Sequence, residues 1–283
     1  MTMPGLRFAY NTNGAANHRL ADAVALIADA GYDGVALTLD HHHLDPMEDG
    51  WVGRAEALAR GLHGRGLGCV IETGARYLLD PRAKHEPTLL TPSAEGRARR
   101  VAFLRRAIDI GAILNAEAVS FWAGVPRPGV DRGEAGAWLV QGVAQVLDHA
   151  RSRGVTAALE PEPGMLVETL DDWALLRAEL PGLTLALDLG HCLVTQEREP
   201  AAAVREFAPH LGTVAIEDMR RGDHTHLPFG EGDMDIPACL DALEGIGFAR
   251  LVCVELSRES HRADRMIPQS LEWLRRCREE RTR

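Results

Sequence analysis

The sequence predicts an α/β protein folded as one (β/α)8 barrel of the TIM type, a single domain spanning residues 1–283. Three observations favour this fold: eight short apolar runs, amphipathic segments between them, and a length of 283 residues. Parallel strands that are buried on both faces read as continuous apolar runs, and eight strand–helix units fill a chain of about 250 residues. A doubly wound open sheet is the alternative, but no G-x-G-x-x-G motif follows the first run.

The predicted elements alternate along the chain. One helix pattern stops at Gly31 and another at Gly154, and three later helices begin at Asp171, Pro200 and Ile236. The eight predicted strands are LRFAY (6–10), GVALTL (34–39), LGCVIE (67–72), AEAVSFW (116–122), VTAALE (155–160), LTLALD (183–188), GTVAIE (212–217) and RLVCVEL (250–256).

Composition and charge narrow the class of protein. The chain is 46% apolar and 25% charged, which is typical of a soluble globular protein. A formal net charge of −10 argues against a nucleic-acid partner, which requires concentrated Lys and Arg. No run approaches the roughly 20 apolar residues of a membrane span, and no signal peptide is visible. Five dispersed cysteines indicate reduced thiols and a cytoplasmic location, and Cys69 and Cys253 are predicted to be buried filler.

A group of arginines is interleaved at helical spacing with Val101, Leu104 and Ile108. This pattern predicts an amphipathic helix whose arginines form its solvated face. The arginines concerned are Arg97, Arg99, Arg100, Arg105 and Arg106.

Residues 73–96 form a long connection without periodicity after the third strand. Connections of this length inside a compact domain are usually functional, and the carboxyl ends of barrel strands carry the active sites. Arg76, Tyr77, Lys84 and His85 are therefore expected to reach a substrate from this loop. A surface loop without catalytic importance is the alternative.

Polar side chains end most of the predicted strands, so a barrel brings them together at its mouth. Several carboxylates and histidines aimed at one space repel each other, and a bound divalent cation compensates them. Glu160, Asp188 and Glu255 are the natural oxygen ligands, and nitrogens from His191 or from the HTH pair complete the shell. The alternative is that each carboxylate caps a helix or pairs with an arginine. The strand-end residues are Glu72, Trp122, Glu160, Asp188, Glu217, Asp218 and Glu255, with His191 three residues after Asp188.

The segment HTHLPFGEG, residues 224–232, follows the seventh strand. In an extended segment, residues two apart point to the same side, so His224 and His226 are predicted to face the mouth together. The turn from Gly230 to Gly232 is expected to allow this approach. A further triple, His41 to His43 after the second strand, is either a substrate-binding tract or a polar mouth loop.

The motifs LDLGHC and HTHLPFGEGDMD, with the carboxylates closing strands five and eight, resemble the xylose isomerase-like TIM barrels. That superfamily contains tagatose and psicose 3-epimerases, inosose-processing enzymes and endonuclease IV, and the resemblance covers nearly the whole chain in strand order. It implies that Glu160, Asp188 and Glu255 bind a metal and that Glu160 and Glu255 form the acid/base pair on opposite faces of the substrate carbon. It also implies that His191 binds substrate and that the turn at Glu231 shapes the mouth.

One position departs from the family pattern. The resemblance implies a metal-binding histidine within strand seven, but this strand carries Ala215 and Ile216 there. His224 or His226 is the expected replacement ligand. Endonuclease IV-like members also have a zinc-binding histidine at the position of His226, but two further histidines of theirs have no counterpart here, so a trinuclear zinc site is incomplete.

The predicted function is a metal-dependent isomerase or epimerase of a keto-sugar, sugar phosphate or keto-polyol. Its cofactor is a divalent metal (Mn, Mg, Co or Zn), and its partner is a small carbohydrate substrate; no nucleic acid or membrane is expected, and a homo-oligomer is left open. The alternatives are a lyase or dehydratase, an AP endonuclease, and a metabolite-binding barrel without activity.

Trp122 is predicted to stack on the sugar ring, with a purely core tryptophan as the alternative. The predicted catalytic residues are Glu160 and Glu255; the substrate-binding residues are His191, His226, Trp122, Glu72 and Arg76; the metal ligands are Glu160, Asp188, His224, His226 and Glu255.

Overall fold

The computed structural model describes residues 5–281, and its strands form a closed parallel barrel together with a separate two-stranded ribbon. The strands are β1 Arg7–Asn11, β2 Gly34–Thr38, β3 Gly68–Glu72, β4 Val119–Trp122, β5 Ala157–Glu160, β6 Thr184–Asp188, β7 Leu211–Ile216, β8 Asp218–Arg220, β9 Asp223–Leu227 and β10 Leu251–Val254. Barrel neighbours follow the chain order from β1 to β7, and β10 closes the barrel against β1. All eight predicted barrel strands and the (β/α)8 fold are confirmed.

Helices connect the strands and cover the outside of the barrel. They are α1 Leu20–Ala30, α2 Trp51–His63, α3 Ala94–Leu114, α4 Arg132–Arg153, α5 Leu170–Glu179, α6 Leu189–Thr195, α7 Pro200–Phe207, α8 Ile236–Gly245 and α9 Ala263–Arg281. As predicted, α1 and α4 stop at Gly31 and Gly154, which adopt the left-handed conformation that glycine tolerates best. Within residues 5–281, no helix combines the length and apolar character that crossing a membrane requires.

The interior of the barrel is filled by a small cluster of buried residues on β1, β2, β3 and β10. Ala36, Val70 and Cys253 of this cluster line the same inner cavity as several strand-end carboxylates. Small side chains at these positions leave room for polar groups above them. Cys69 and Cys253 are free thiols and are buried, as the sequence predicts.

The arginine-rich face of α3 differs from the prediction at one position. Arg99 and Arg105 are exposed, but Arg100 is fully buried, so its assignment to the solvated face is wrong. Its Nη2 donates to the carbonyl of Thr73 at 3.0 Å, and its guanidinium lies 4.3 Å from the ring centre of Trp122. Contact with an aromatic face and a buried carbonyl recovers part of the cost of burying this charge.

The ribbon of β8 and β9 lies outside the barrel sheet, directly after β7. Asp218 fixes the turn that follows it, because its carboxylate accepts from the backbone N–H of Gly230 at 2.9 Å and of Met234 at 3.0 Å. Gly230 has a positive φ of 89°, and a Cβ on Gly232 would overlap the Asp218 carboxylate. The G-E-G motif therefore has a local structural cause at both glycines.

Candidate metal and substrate site

A polar cavity of about 170 Å³ opens at the carboxyl ends of the barrel strands. It is continuous in its lining with the inner cavity, since Glu72, Glu160 and Glu255 border both. Asp188 lines the inner cavity. Of the residues predicted to bind metal or substrate, those that line the outer cavity are Glu72, Arg76, Trp122, Glu160, His191, His226 and Glu255.

Asp188 and His191 are positioned by the start of the short helix α6. Asp188 ends β6 and caps α6, because its Oδ1 accepts from the backbone N–H of His191 at 3.1 Å. The Nδ1 of His191 lies 3.0 Å from the carbonyl of Pro161, which can only accept, so Nδ1 carries the proton. Nε2 then lies 3.1 Å from Nε2 of His224, within hydrogen-bond distance, and 3.6 Å from Asp188 Oδ2. A metal or substrate that takes the Nε2 lone pair therefore displaces this contact with His224.

His224 and His226 lie on β9 and face the same side, as the sequence predicts. Their ring centres are 4.8 Å and 6.5 Å from that of His191. Burial and the neighbouring His191 lower the pKa of His224 to about 4, so this ring is neutral. Burial lowers the pKa of His226, but contact with Glu217 and the charge of Glu255 outweigh it and raise the pKa to about 10.

Glu217 follows β7 and is absent from the predicted metal ligands and substrate-binding residues, although the structure places it beside Asp188 and His226. Its carboxylate is fully buried, and neither oxygen has a hydrogen-bond partner among the residues that the structure describes. Oε2 lies 3.8 Å from Nδ1 of His226. The sequence held a signal for it, because residues 213, 215 and 217 share one side of an extended strand and Thr213 and Ala215 line the inner cavity.

Glu162 is a second residue missing from the predicted site. It lines the outer cavity, and its carboxylate lies 3.9 Å from Nε2 of His191 and 3.8 Å from Nε2 of His224. Its spacing of two residues from Glu160 was the available signal. Burial is the main cause that raises its pKa, and the nearby His191 opposes this.

Potential ligand atoms gather into three overlapping groups, and within each group all atoms lie within 4.8 Å of one another. The groups are Glu160–Asp188–His191, Asp188–Glu217–His226 and His191–His224–His226. Carboxylate oxygens and imidazole nitrogens together suit a divalent metal such as Mn or Zn. The unpartnered buried atoms Asp188 Oδ2 and His226 Nδ1, with both Glu217 oxygens, indicate that the site fits a cation.

The buried carboxylates perturb one another. Burial, with the charges of Glu162 and Asp188, raises the pKa of Glu160 well above its ordinary value. Burial and the charge of Glu255 raise the pKa of Glu72 to about 7. The raised pKa values favour the protonated forms of Glu160 and Glu72, and carboxyl groups that hold a proton near neutral pH are suited to general acid and base chemistry.

Glu255 stands apart from the three groups. Its Oε1 accepts from Nδ2 of Asn13 at 2.8 Å, and it borders both cavities. No ligand group found among residues 5–281 includes it, so its role as a metal ligand stays a prediction.

The long connection after β3 lies at the mouth, as expected. Arg76, Lys84 and His85 line the outer cavity, and Nδ1 of His85 donates to the carbonyl of Gly74 at 2.5 Å. Tyr77 is 55% exposed and is not part of the lining.

Trp122 is both a core residue and a cavity residue. It is only 5% exposed and is packed between Arg100 and the edge of His85, yet it borders the outer cavity. Of the triple His41 to His43, none lines either cavity, and His43 is buried with Nε2 donating to the carbonyl of His18 at 3.0 Å.

Comparison with known proteins agrees with this architecture. Residues 24–277 match the family model described as "Xylose isomerase-like TIM barrel", whereas no curated protein sequence matches the chain. Among solved structures, a D-tagatose 3-epimerase-like protein superposes with a TM-score of 0.75 at 17% identity, covering 96% of this chain and 99% of that one. The IolI protein with a bound zinc atom gives a TM-score of 0.75 at 17% identity, with 96% of each chain covered.

A third similar structure is the "probable 3-DHS dehydratase AsbF" from Bacillus anthracis, with a TM-score of 0.76 at 14% identity. The alignment covers 95% of this chain and 99% of that one. At these identities the superpositions show the shared fold. With the family match over residues 24–277, the chain belongs to the xylose isomerase-like TIM barrel family.

Proposed function

We propose that the protein is a metal-dependent isomerase or epimerase that moves a proton at the carbon beside the carbonyl of a small keto-sugar, sugar phosphate or keto-polyol. One observation carries the proposal: the carboxylates of Glu160 and Glu255 border one polar cavity, beside a group of buried and unpartnered metal-ligand atoms. Proton transfer next to a carbonyl requires a base and an acid beside a group that stabilises the developing negative charge.

The residues that would hold the metal are Glu160, Asp188 and Glu255, with His226 or His224 supplying nitrogen. A divalent metal (Mn, Mg, Co or Zn) bound there supplies a Lewis acid that polarises the substrate carbonyl. The zinc atom named in the IolI structure supports this choice of cofactor class.

The two glutamates take different roles in the proposed reaction. Burial and the charges of Glu162 and Asp188 raise the pKa of Glu160, which favours its protonated form. Asn13 donates to Oε1 of Glu255 and thereby orients that carboxylate, which leaves its other oxygen to accept the substrate proton. Glu255 is therefore the base and Glu160 the acid in one direction, and the roles reverse in the other direction.

The rest of the cavity would bind the substrate. The guanidinium of Arg76 lines the cavity. It makes no hydrogen bond to any of residues 5–279, so it is available to substrate oxygens. His191 lines the cavity with its imidazole ring, Glu72 offers a carboxyl group, and Trp122 offers part of its ring. An acidic mouth and a net charge of −10 disfavour a DNA substrate.

A lyase or dehydratase is the second candidate. Glu72 borders the same cavity and has a pKa raised to about 7 by burial and by Glu255, so half of its population can donate a proton at neutral pH. A second acid beside the Glu160–Glu255 pair is suited to protonating a leaving hydroxyl group. One of the similar structures is named as a probable dehydratase, which supports testing for loss of water as well as for isomerisation.

The test is solvent exchange in D2O. The protein is incubated with a panel of keto-sugars, sugar phosphates and keto-polyols in the presence of Mn, Mg, Co or Zn, and products are followed by mass and NMR. Deuterium incorporation without change of formula identifies an isomerase or epimerase, whereas loss of water identifies a dehydratase. Glu160→Gln is expected to abolish exchange, and the exposed Glu134→Gln on α4 is the matched control. Absence of exchange with every metal and substrate near neutral pH would refute the proposal.

A further inference from the structure

We propose that Glu217, together with His226, replaces the ligand that strand β7 does not supply, so that Asp188, Glu217 and His226 hold a divalent transition metal displaced from the barrel interior toward its mouth. The inference rests on the proposed metal dependence, and it concerns which residues of this chain bind the ion. Its test is metal binding, which is measured independently of turnover.

Strand β7 supplies no ligand at the level of Asp188. Ala215 is the register partner of Asp188 and lines the inner cavity with Glu160 and Glu255. A methyl group cannot coordinate a cation. An ion at this level would therefore have carboxylates on one side and an apolar surface on the side of β7.

The next position on the same side of the strand carries a carboxylate. Side chains alternate along a strand, so residue 217 follows residue 215 on the side that faces the interior, about 6.6 Å further toward the mouth. Glu217 occupies this position and is fully buried. Its neighbour across the opening is His226 on β9, which lines the outer cavity.

Four potential ligand atoms of this group make no hydrogen bond to the described residues. Both oxygens of Glu217, Oδ2 of Asp188 and Nδ1 of His226 are buried, and none has a hydrogen-bond partner in the part of the chain that the structure describes. A buried carboxylate without partners is costly. A bound cation would supply the partner that these atoms lack.

Distances favour a shared ion over a direct hydrogen bond. Nδ1 of His226 and Oε2 of Glu217 are 3.8 Å apart, which exceeds the hydrogen-bond range. Two ligands at about 2.1 Å from one tetrahedral metal lie about 3.4 Å apart, so a small closure brings the pair onto an ion. A divalent charge balances the carboxylates of Asp188 and Glu217 when the imidazole of His226 binds in its neutral form.

The backbone also leaves room for this carboxylate. A Cβ on Gly190 in α6 would overlap Oε1 of Glu217 and would lie 2.7 Å from Cγ of Met219. Only glycine at residue 190 lets Glu217 occupy its position beside Asp188. The carboxylate therefore fits a space that the neighbouring helix keeps open.

The experiment is calorimetric titration of the chelator-treated protein with Zn²⁺ and with Mn²⁺. The wild-type chain is expected to bind one ion, and Glu217→Gln is expected to weaken binding at least tenfold, while the control Glu134→Gln leaves it unchanged. Co²⁺ absorption provides a second readout, because loss of a ligand changes the visible spectrum. Glu217→Gln removes a buried ionisable group and keeps the shape of the side chain, so its thermal midpoint without metal is expected to equal or exceed that of the wild type.

The outcomes separate this inference from the proposed function. If Glu217→Gln binds the ion as tightly as the wild type, while Glu160→Gln binds it weakly, the displaced site is overturned and metal dependence stands. If the wild-type chain binds no ion, both are overturned. Ala215→His combined with Glu217→Gln is expected to recover affinity; a folded double variant that still binds weakly would overturn the claim that Glu217 replaces a ligand at residue 215.

Discussion

Gly232 lies where any side chain would collide with the carboxylate that fixes the turn after the β8–β9 ribbon. A Cβ at this position would overlap Asp218 and would lie 2.6 Å from the carbonyl oxygen of Met219, a backbone atom that cannot rotate away. Gly232→Ala therefore forces Asp218 to move. That movement breaks its hydrogen bonds to the N–H groups of Gly230 and Met234.

The magnitude follows from those two hydrogen bonds. Hydrogen bonds to a charged group contribute about 1.5–3 kcal/mol each, so losing both lowers the free energy of unfolding by about 3 kcal/mol or more. For a chain somewhat larger than 250 residues this corresponds to a fall of roughly 5–10 °C in the thermal midpoint. The assay is differential scanning calorimetry of the wild type and the variant at one scan rate and one metal concentration.

The matched control is Gly136→Ala in α4. No atom lies within 4 Å of a Cβ built there, and Ala is favoured over Gly in a helix interior by about 0.5–1 kcal/mol. Its midpoint is expected to rise slightly. A Gly232→Ala midpoint within about 2 °C of the wild type would refute the steric argument.

Three further predictions concern the site. Chelation is expected to lower the thermal midpoint of the wild type, because a ligand present at a hundredfold its Kd stabilises the folded state by about 2.7 kcal/mol. Calorimetry before and after EDTA measures this change, and an unchanged midpoint contradicts the prediction. In the metal-free protein, stability is expected to fall as pH rises above about 6.5. Burial raises the pKa of Glu160 and Glu217 above their ordinary values, and contact with Glu217 raises the pKa of His226 to about 10, so the folded state binds more protons than the unfolded state there. Urea denaturation at each pH measures the slope, which should be shallower in Glu217→Gln; stability that rises with pH would count against the raised pKa values. Arg76→Met is expected to raise KM about tenfold and to leave kcat within about twofold, on any substrate that the exchange assay identifies. Steady-state kinetics measure both constants, and an unaltered KM would show that Arg76 does not bind the substrate.

Much of the fold was predictable from the sequence because buried parallel strands leave continuous apolar runs. The positions of Glu160, Asp188 and His191 followed from the rule that strand ends meet at the mouth. The β8–β9 ribbon was not predicted as such, since a three-residue strand carries no periodic signal.

The remaining differences have physical causes. Glu217 is not among the predicted ligands because the family pattern implies a histidine on strand seven. The alternation that places residue 217 on the same side of the strand as residue 215 is nevertheless present in the sequence. Arg100 lies four residues before Leu104 and eight before Ile108, so helical periodicity places it on the apolar face, and only its charge favours a solvated position. Its burial depends on the ring of Trp122, which comes from a different strand and is brought close only by the tertiary fold.

The β8–β9 ribbon has a consequence for the energetics of the mouth. Isolated two-stranded ribbons are marginally stable in water, and β9 has no buried residue. The ribbon is attached by the N–H of Gly222 to the carbonyl of Leu193 and by the turn at Asp218. His224 and His226 therefore reach the mouth only while this segment is ordered. Any ion that they bind shifts the local unfolding equilibrium of the ribbon toward its ordered state. The apparent affinity of the site for the ion therefore includes the free energy of ordering the ribbon. Residues that make no contact with the ion contribute to this affinity by stabilising the ribbon.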